Sequence, residues 1–163
     1  MEYSIHPISD EDGKAVLDIF NHYIENSFAA YPDKKFPYQA VDTLLGCSNG
    51  LPAGTIKNRH GRVAGFGMLR PYNPLPAFSK TAEVTYFLHP DFTGKGLGSM
   101  LLADLETRAK AGGIRTLLAN ISSLNPGSID FHRKNGFTEC GRFLRIGEKK
   151  DRTFDVVWMQ KRI

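Results

Sequence analysis

The chain has 163 residues, of which 41% are hydrophobic and 23% are charged. This length suits one domain, spanning 1–163, with a full core and an ordinary globular composition. The net charge of +4 is mild and the basic residues are scattered along the chain, which argues against nucleic-acid binding. The sequence shows no signal peptide and no apolar run of membrane length. We expect a soluble, cytoplasmic protein. Cys47 and Cys140 lack metal or redox spacing and are expected to be small buried residues.

The first third of the chain predicts one strand and two helices. Residues 3–8 alternate in polarity, which predicts a short strand. Ser9, with an acidic residue three places on, predicts a capped helix start, and the helix runs to about residue 28 with apolar residues on one face. After a loop at 29–37 that contains two prolines, a second short helix is expected at 38–45.

The middle of the chain predicts three strands. Residues 51–58 and 62–69 are joined by the turn Arg59-His60-Gly61, which indicates a hairpin. Residues 71–79 hold three prolines and are expected to form a loop. The third strand, at 81–88, is rich in β-branched and aromatic residues.

A glycine-rich turn follows this strand and opens a long helix. Gly94, Gly96 and Gly98 occupy alternate positions, and the apolar stripe of the helix runs from Leu97 to Ala109. Glycine allows positive φ and close approach of another molecule to the main chain. Such a turn directs unpaired N–H groups and the positive end of the helix dipole at one spot, which predicts a phosphate site. The alternative is that this turn is only a tight connection between strand and helix and binds no phosphate.

Two common phosphate motifs do not fit this turn. A Walker loop needs Ser or Thr after its Gly-Lys pair, but Gly96 follows Lys95. A dinucleotide fingerprint needs a third glycine where Ser99 stands, and it normally opens the first βαβ unit, whereas this turn lies past the middle of the chain. Neither nucleotide site is therefore predicted.

The last third of the chain predicts a strand, a helix and a closing hairpin. Residues 116–121 form a compact apolar strand. Asn125 caps a helix that has proline in its first turn and ends at Asn135-Gly136, and strands follow at 137–146 and 152–160. The order of elements predicts a mixed α/β fold in which helices cover a largely antiparallel sheet.

Three motifs resemble the GCN5-related N-acetyltransferase (GNAT) superfamily, and most closely its phosphinothricin N-acetyltransferase-like branch. The turn at 93–98 is similar to the acyl-CoA loop, Gln/Arg-x-x-Gly-x-Gly/Ala, with Thr93 at the first position. A second motif is matched by Asn125, Ser128, His132 and Gly136-Phe137. The tail at 147–160 matches a third. The resemblance implies an acyl-CoA N-acyltransferase fold of about seven strands and about four helices. It also implies acetyl-CoA as co-substrate, and no metal.

The resemblance implies catalytic roles for Glu83 and His132. Acetyl transfer needs a base near the amine, and Glu83 is the one carboxylate in an otherwise apolar strand; an outward-facing strand residue is the alternative. His132 stands where many relatives have a tyrosine acid that protonates the departing thiolate of coenzyme A. The alternative for His132 is a helix-surface histidine bonded to a backbone carbonyl.

The cofactor-binding residues that the resemblance implies lie on the third strand of the middle section, the glycine turn and the last helix. On the strand only the main chain is expected to bind, with the side chains in the core, while the amides of the turn hold the pyrophosphate. The residues are Tyr86, Phe87, Leu88, Thr93, Gly94, Lys95, Gly96, Leu97, Gly98, Ser99, Asn125 and Ser128.

The acceptor site departs from the phosphinothricin pattern. The Arg and Tyr that precede the catalytic Glu in those enzymes fall on Leu75 and Phe78, while Arg70 and Tyr72 are out of register. We expect instead an aromatic pocket for a less polar amine, although these aromatic residues are alternatively core. The pocket residues are Phe28, Tyr31, Phe36, Tyr72 and Phe78.

The main hypothesis is an acetyl-CoA-dependent N-acetyltransferase acting on the primary amine of a small molecule, an amino acid or an analogue. No nucleic-acid or membrane partner is expected. The alternatives are acetylation of a protein N-terminus or lysine, and a CoA-binding sensor without turnover. Members of the family often form homodimers, so the resemblance implies that this chain can form one too.

Overall fold

A computed structural model describes residues 2–163 of the chain. The strands are β1 (Tyr3–His6), β2 (Ala53–Asn58), β3 (Val63–Pro71), β4 (Thr81–Leu88), β5 (Thr116–Ser122), β6 (Thr138–Lys149) and β7 (Arg152–Arg162). The α-helices are α1 (Gly13–Asn26), α2 (Val41–Gly46), α3 (Leu97–Ala111) and α4 (Pro126–Lys134). The predicted order of elements is confirmed. None of these helices is long and apolar enough to cross a membrane.

The seven strands form one sheet in the order β1-β2-β3-β4-β5-β7-β6. Every neighbouring pair is antiparallel except β4 and β5, which are parallel. The β4–β5 register covers only Thr81↔Thr116, Ala82↔Leu117 and Glu83↔Leu118, so the two strands diverge beyond Glu83. The sheet therefore opens at its centre, beside the C-terminal half of β4.

Helices cover both faces of the sheet, and the side chains of β3 alternate between these two faces. Phe66 and Met68 are buried with α1 in one apolar cluster, whereas Leu69 is buried with α3 in another. Gly67 lies directly under α3, and a Cβ there would come within 3.0 Å of Leu101 and Leu105. The glycine in this strand thus allows the close approach of a helix.

The structure corrects three details of the sequence analysis. Cys47 and Cys140 are exposed, not buried, because Cys47 follows the end of α2 and Cys140 lies on the edge strand β6. The second helix starts as a 3₁₀ turn, Tyr38–Ala40, before α2. The capping box at Ser9 is present, but it opens the 3₁₀ turn Asp10–Asp12 that leads into α1.

Candidate active site

The glycine turn has the backbone that a phosphate site requires. Gly94 and Gly96 have φ of 74° and 75°, in the left-handed region that favours glycine. Gly96 is the N-cap of α3, and no described side chain caps the first turn of that helix. The space where a Cβ would stand at either glycine is open, while Leu97 anchors the turn in the core. Main-chain N–H groups at the start of α3 are thus available to an anion.

A cavity of about 880 Å³ occupies the opening between β4 and β5. Its walls come from both strands, the glycine turn, α4 and the loop before α2. Eleven sequence-predicted site residues line it: Tyr31, Phe36, Tyr86, Phe87, Leu88, Thr93, Gly94, Gly98, Asn125, Ser128 and His132. Lys95, Gly96, Leu97 and Ser99 belong to the turn but not to the lining, and the Lys95 ammonium lies 5.2 Å from the Phe92 ring centroid.

Three of the five predicted pocket aromatics lie outside this lining. Phe28 packs edge-on against Phe154, with ring centroids 6.3 Å apart. Tyr72 and Phe78 contact each other at 5.6 Å in the loop after β3, and both are exposed. The cavity wall is therefore aromatic through Tyr31 and Phe36, with apolar side chains of α1 that the sequence analysis did not assign to it.

Glu83 stands at the last residue pair before β4 and β5 diverge. Its side chain is 16% exposed, and its Oε2 accepts hydrogen bonds from Arg70 Nη2 at 3.1 Å and Asn120 Nδ2 at 3.0 Å. No described residue donates to Oε1. One carboxylate oxygen is thus fixed, while the other keeps free lone pairs. Burial, together with the nearby charge of Glu83, raises the pKa of Tyr31 to about 12.

His132 is buried on α4 and pairs with Tyr86 of β4. Its Nδ1 lies 2.6 Å from the carbonyl oxygen of Ser128, and because that oxygen only accepts, Nδ1 carries the proton. Nε2 therefore accepts the hydrogen bond of the Tyr86 hydroxyl. Burial lowers the pKa of His132 and raises that of Tyr86 well above its ordinary value, so the pair is neutral at pH 7.

Three participants were not predicted from sequence: the Tyr86 hydroxyl, Arg70 and Asn120. The Tyr86 side chain packs against the core, as predicted, but its hydroxyl also binds His132 and its ring lines the cavity, which the sequence did not indicate. Arg70 is the register partner of Glu83 across β3 and β4. The only sequence signal for this contact was that β3 and β4 are consecutive strands. When such strands pair antiparallel, residues that are distant along the chain become direct neighbours across the two strands.

The N-cap role predicted for Asn125 is confirmed, since its side chain accepts from the Ser128 N–H at 3.3 Å. This bond fixes the first turn of α4 at the cavity wall. The same turn supplies the Ser128 carbonyl that orients His132. The cap thereby also positions the histidine.

Comparison with known proteins agrees with this geometry. The model of the Acetyltransferase (GNAT) family matches residues 16–137. The chain is 32% identical over 162 residues to an L-methionine sulfoximine/L-methionine sulfone acetyltransferase of Pseudomonas aeruginosa, covering 98% of this chain and 94% of that protein. It is 29% identical over 162 residues to a phosphinothricin N-acetyltransferase of Alcaligenes faecalis, covering 97% and 81%.

A solved structure has the same fold along the whole chain. It is a GNAT superfamily phosphinothricin acetyltransferase from Sinorhizobium meliloti in complex with AcCoA, with a TM-score of 0.94 and 26% identity, covering 100% of this chain and 89% of that one. The family model spans most of the sequence, and the relatives match almost end to end. The chain therefore belongs to the acetyltransferase (GNAT) family and is an N-acetyltransferase of its phosphinothricin acetyltransferase-like branch.

Proposed function

We propose that the protein transfers an acetyl group from acetyl-CoA to the primary amine of a small molecule, an amino acid or an analogue. The observation that carries this proposal is Glu83, which holds one carboxylate oxygen fixed and the other free at the opening between β4 and β5. The relatives named above support the choice of acceptor, because their names describe acetylation of amino-acid analogues.

The residues around the cavity fit acetyl-CoA. The uncapped start of α3 and the two left-handed glycines offer N–H groups to the pyrophosphate. The main chain of β4 from Tyr86 to Leu88 borders the opening, where it can bind the pantetheine arm, and Asn125 and Ser128 border it from the other side. Bound acetyl-CoA supplies an activated thioester carbonyl.

The free oxygen of Glu83 acts as the base in the proposed mechanism. It removes the proton from the acceptor amine, directly or through water, as the nitrogen bonds to the acetyl carbonyl carbon and the C–S bond breaks. Arg70 and Asn120 hold the other oxygen and so fix the orientation of the carboxylate. The reaction ends with the acetylated amine and coenzyme A.

His132 and Tyr86 protonate the departing thiolate in this proposal. The Nδ1 proton of His132 is committed to the Ser128 carbonyl, so the mobile proton of the pair is the one on the Tyr86 oxygen. The acid that the resemblance implied at His132 thus acts together with the tyrosine hydroxyl. The proton that Glu83 receives returns to solvent, and a proton from solvent restores the Tyr86 hydroxyl, so that both groups end in their starting states.

The test is release of free thiol from acetyl-CoA with a panel of amino acids, amines and short peptides, for the wild type and Glu83→Gln. Glutamine keeps an oxygen for the Arg70 and Asn120 bonds but is no base, so kcat is expected to fall roughly 10²- to 10⁴-fold with CoA affinity unchanged. Equal turnover in the variant would exclude Glu83 as the base. Peptide-only turnover would assign protein acetylation, and CoA binding without turnover a sensor.

We also propose a cytoplasmic homodimer. The support is an exposed apolar patch on the edge strand β6, formed by Phe143, Leu144 and Ile146, which are 55%, 69% and 61% exposed. Exposed apolar patches on edge strands favour association. Light scattering is expected to give a dimer mass that Leu144→Glu converts to a monomer mass; a wild-type monomer would contradict this.

A further inference from the structure

Three aromatic rings line the cavity on the face of the sheet that carries Glu83. Side chains alternate along a strand, so Phe87, four residues after Glu83 on β4, lies on the same face as the glutamate. The Phe87 ring packs on Phe20 of α1 with centroids 5.3 Å apart, and Phe20 packs on Phe36 at 5.7 Å. All three rings border the cavity. An acceptor whose amine lies at Glu83 can therefore place an apolar body along this row, of which Phe36 is the last ring.

Phe36 also borders a second cavity, which has a volume of about 470 Å³ and a different chemistry. The walls of this second cavity are residues 35–38 and polar or charged side chains of α1, among them Asp18, His22 and Glu25. Phe36 is the one residue of the described chain that borders both cavities. It therefore forms a partition between the apolar space beside Glu83 and a polar space behind it.

The segment that carries Phe36 is held by a single side chain of α1. Residues 31–36 belong to no helix or strand, and among the described residues only Asn21 hydrogen-bonds their main chain. Its Nδ2 donates to the Phe36 carbonyl oxygen at 2.9 Å, and its Oδ1 accepts from the Phe36 N–H at 2.8 Å. Asn21 is only 8% exposed, so water competes little for these bonds. One amide thus fixes both main-chain polar groups of the partition residue.

The other polar contacts of this segment lie between exposed side chains. Lys35 Nζ lies 3.2 Å from a carboxylate oxygen of Glu25, and both side chains are exposed. The Tyr38 hydroxyl donates to Asp18 at 2.6 Å, also at the surface. Exposed pairs of this kind contribute little to stability, and these two do not bind the main chain. The position of the Phe36 main chain therefore depends chiefly on Asn21.

We propose that Phe36 limits the length of the acceptor and that Asn21 is the positioning residue that holds Phe36 in place. An acceptor whose apolar chain ends at Phe36 buries that chain completely. A longer chain has to displace the ring and enter the polar cavity, where apolar groups gain nothing from burial. The inference rests on the proposed function, because it concerns the acceptor of that reaction.

The test measures kcat/KM along two series of acceptors in which each member adds one methylene. One series is the linear primary amines from propylamine to decylamine, and the other is the linear L-α-amino acids with side chains from ethyl to octyl. Asn21→Leu keeps the size of the side chain and loses both bonds, whereas Phe36→Ala removes the ring and keeps both bonds. The double variant combines them. Asn26→Leu is the matched control, because Asn26 is exposed on the same helix and borders neither cavity.

In the wild type we expect kcat/KM to rise roughly fourfold per methylene while the chain fits, and to fall at the first member that reaches Phe36. In Phe36→Ala that member should gain roughly tenfold or more relative to a short one, so the limit moves to longer chains. Asn21→Leu should move the limit in the same direction. The double variant should move it no further than Phe36→Ala, because Asn21 acts through the ring.

The control Asn26→Leu should keep the wild-type limit. No length limit in either wild-type series, or a limit that Phe36→Ala leaves in place, would overturn the inference. If Asn21→Leu lowers kcat/KM by the same factor for every member, Asn21 only stabilises the fold and its positioning role is rejected.

Binding separates this inference from the proposed function. Calorimetry with CoA-loaded protein measures the affinity of the same acceptors without turnover. A length limit in affinity that moves in Phe36→Ala, combined with no thiol release from acetyl-CoA, would support the role of Phe36 and reject acetyl transfer to these acceptors. Thiol release with a limit that no variant moves would do the reverse. Binding of no member of either series would overturn both. CoA binding by the variants shows that they are folded.

Discussion

At the scale of single residues, the pairing of Tyr86 with His132 decides where the mobile proton lies. The Ser128 carbonyl holds the Nδ1 proton of His132, and Nε2 therefore accepts the Tyr86 hydroxyl. A histidine in this state offers no proton of its own to the cavity. The acid function proposed for this position consequently depends on the tyrosine oxygen.

Tyr86→Phe is expected to lower kcat roughly 10- to 100-fold while CoA affinity stays within about twofold, because only proton delivery to the thiolate is lost. The pKa of His132 should rise towards its ordinary value, because the neutral ring loses the hydrogen bond that stabilises it. Steady-state thiol release and nitrogen-15 NMR of the histidine ring measure the two effects.

Tyr38→Phe is the matched control for the tyrosine substitution. Tyr38 is an exposed tyrosine that donates to Asp18 at 2.6 Å, away from the cavity lining. Its loss should leave kcat and the His132 titration unchanged. An unchanged kcat in Tyr86→Phe as well would mean that the hydroxyl only holds the ring of His132.

Residues whose roles depend on tertiary partners were the ones that sequence could not specify. Arg70 lies 13 positions before Glu83, and only the antiparallel register of β3 and β4 makes the two neighbours. Tyr86 reads as a core aromatic until α4 brings a histidine to its hydroxyl from 46 positions away. The spacing of aromatic residues likewise could not tell Tyr31 and Phe36 in the cavity wall from Tyr72 outside it.

At the scale of secondary-structure elements, local signals gave reliable predictions. The turn with Gly94 and Gly96 was predictable because a left-handed backbone conformation at the start of a helix favours glycine at those positions. The Asn125 cap and the proline after it fixed the start of α4 for the same reason. Element boundaries were less well predicted: β6 continues to Lys149, beyond the predicted end of the strand at residue 146, and its pairing with β7 is irregular between Phe143 and Gly147.

The hairpin of β6 and β7 also stabilises the far end of α1. Lys149 is 3% exposed, and its ammonium donates to the carbonyl oxygens of Ile24, Ser27 and Ala30 at 2.7, 2.9 and 2.7 Å. Three carbonyls at the end of a helix and in the following loop thus share one charged donor. That loop continues to Tyr31 in the cavity wall, so the hairpin supports this part of the wall, where the acceptor is proposed to bind.

Lys149→Met is expected to lower the free energy of unfolding by about 2–4 kcal/mol, because three buried carbonyls lose a charge-assisted bond. The KM for the acceptor should rise several-fold, since the loop that carries Ala30 and Tyr31 is less restrained. Urea denaturation and steady-state kinetics measure the two effects.

The neighbouring Lys150→Met is the matched control for the lysine substitution. Lys150 is exposed and donates to a single backbone carbonyl, that of Glu25. Its replacement should cost less than about 1 kcal/mol, as is usual for exposed bonds. An acceptor KM that is equally insensitive to both substitutions would show that the loop keeps its position without Lys149.

At the scale of the whole molecule, the sheet is continuous only through three residue pairs between β4 and β5. β4 pairs with β3 on its other side, and β5 pairs with β7. Beyond Glu83, the facing edges of β4 and β5 do not pair with each other and border the cavity instead. The fold therefore places the proposed catalytic groups where hydrogen bonding between the two strands ends. Groups from both halves, Glu83 on β4 and His132 after β5, reach the same opening.

Burial of a neutral histidine in this opening makes the stability of the whole protein depend on pH. Burial lowers the pKa of His132 from its ordinary value of 6.5. Between that value and the lowered value of the folded state, the unfolded chain binds a proton at this histidine that the folded chain does not bind. The free energy of unfolding therefore decreases as the pH falls through this window, by at most about 1.4 kcal/mol per pH unit from this group.

His132→Gln removes this contribution, while the glutamine amide can still donate to the Ser128 carbonyl. Urea denaturation at pH 7.5 and pH 5.5 should show a smaller loss of stability in the variant than in the wild type. His22→Gln, at an exposed histidine on α1, should keep the wild-type loss. Burial would raise the pKa of Asp12, but hydrogen bonds to Lys57 and Ser9 lower it overall. Asp12 therefore contributes to the pH dependence of stability at more acidic pH, and equally in all three proteins. Equal losses in the wild type and His132→Gln would mean that His132 titrates normally, and the neutral Tyr86–His132 pair would have to be abandoned.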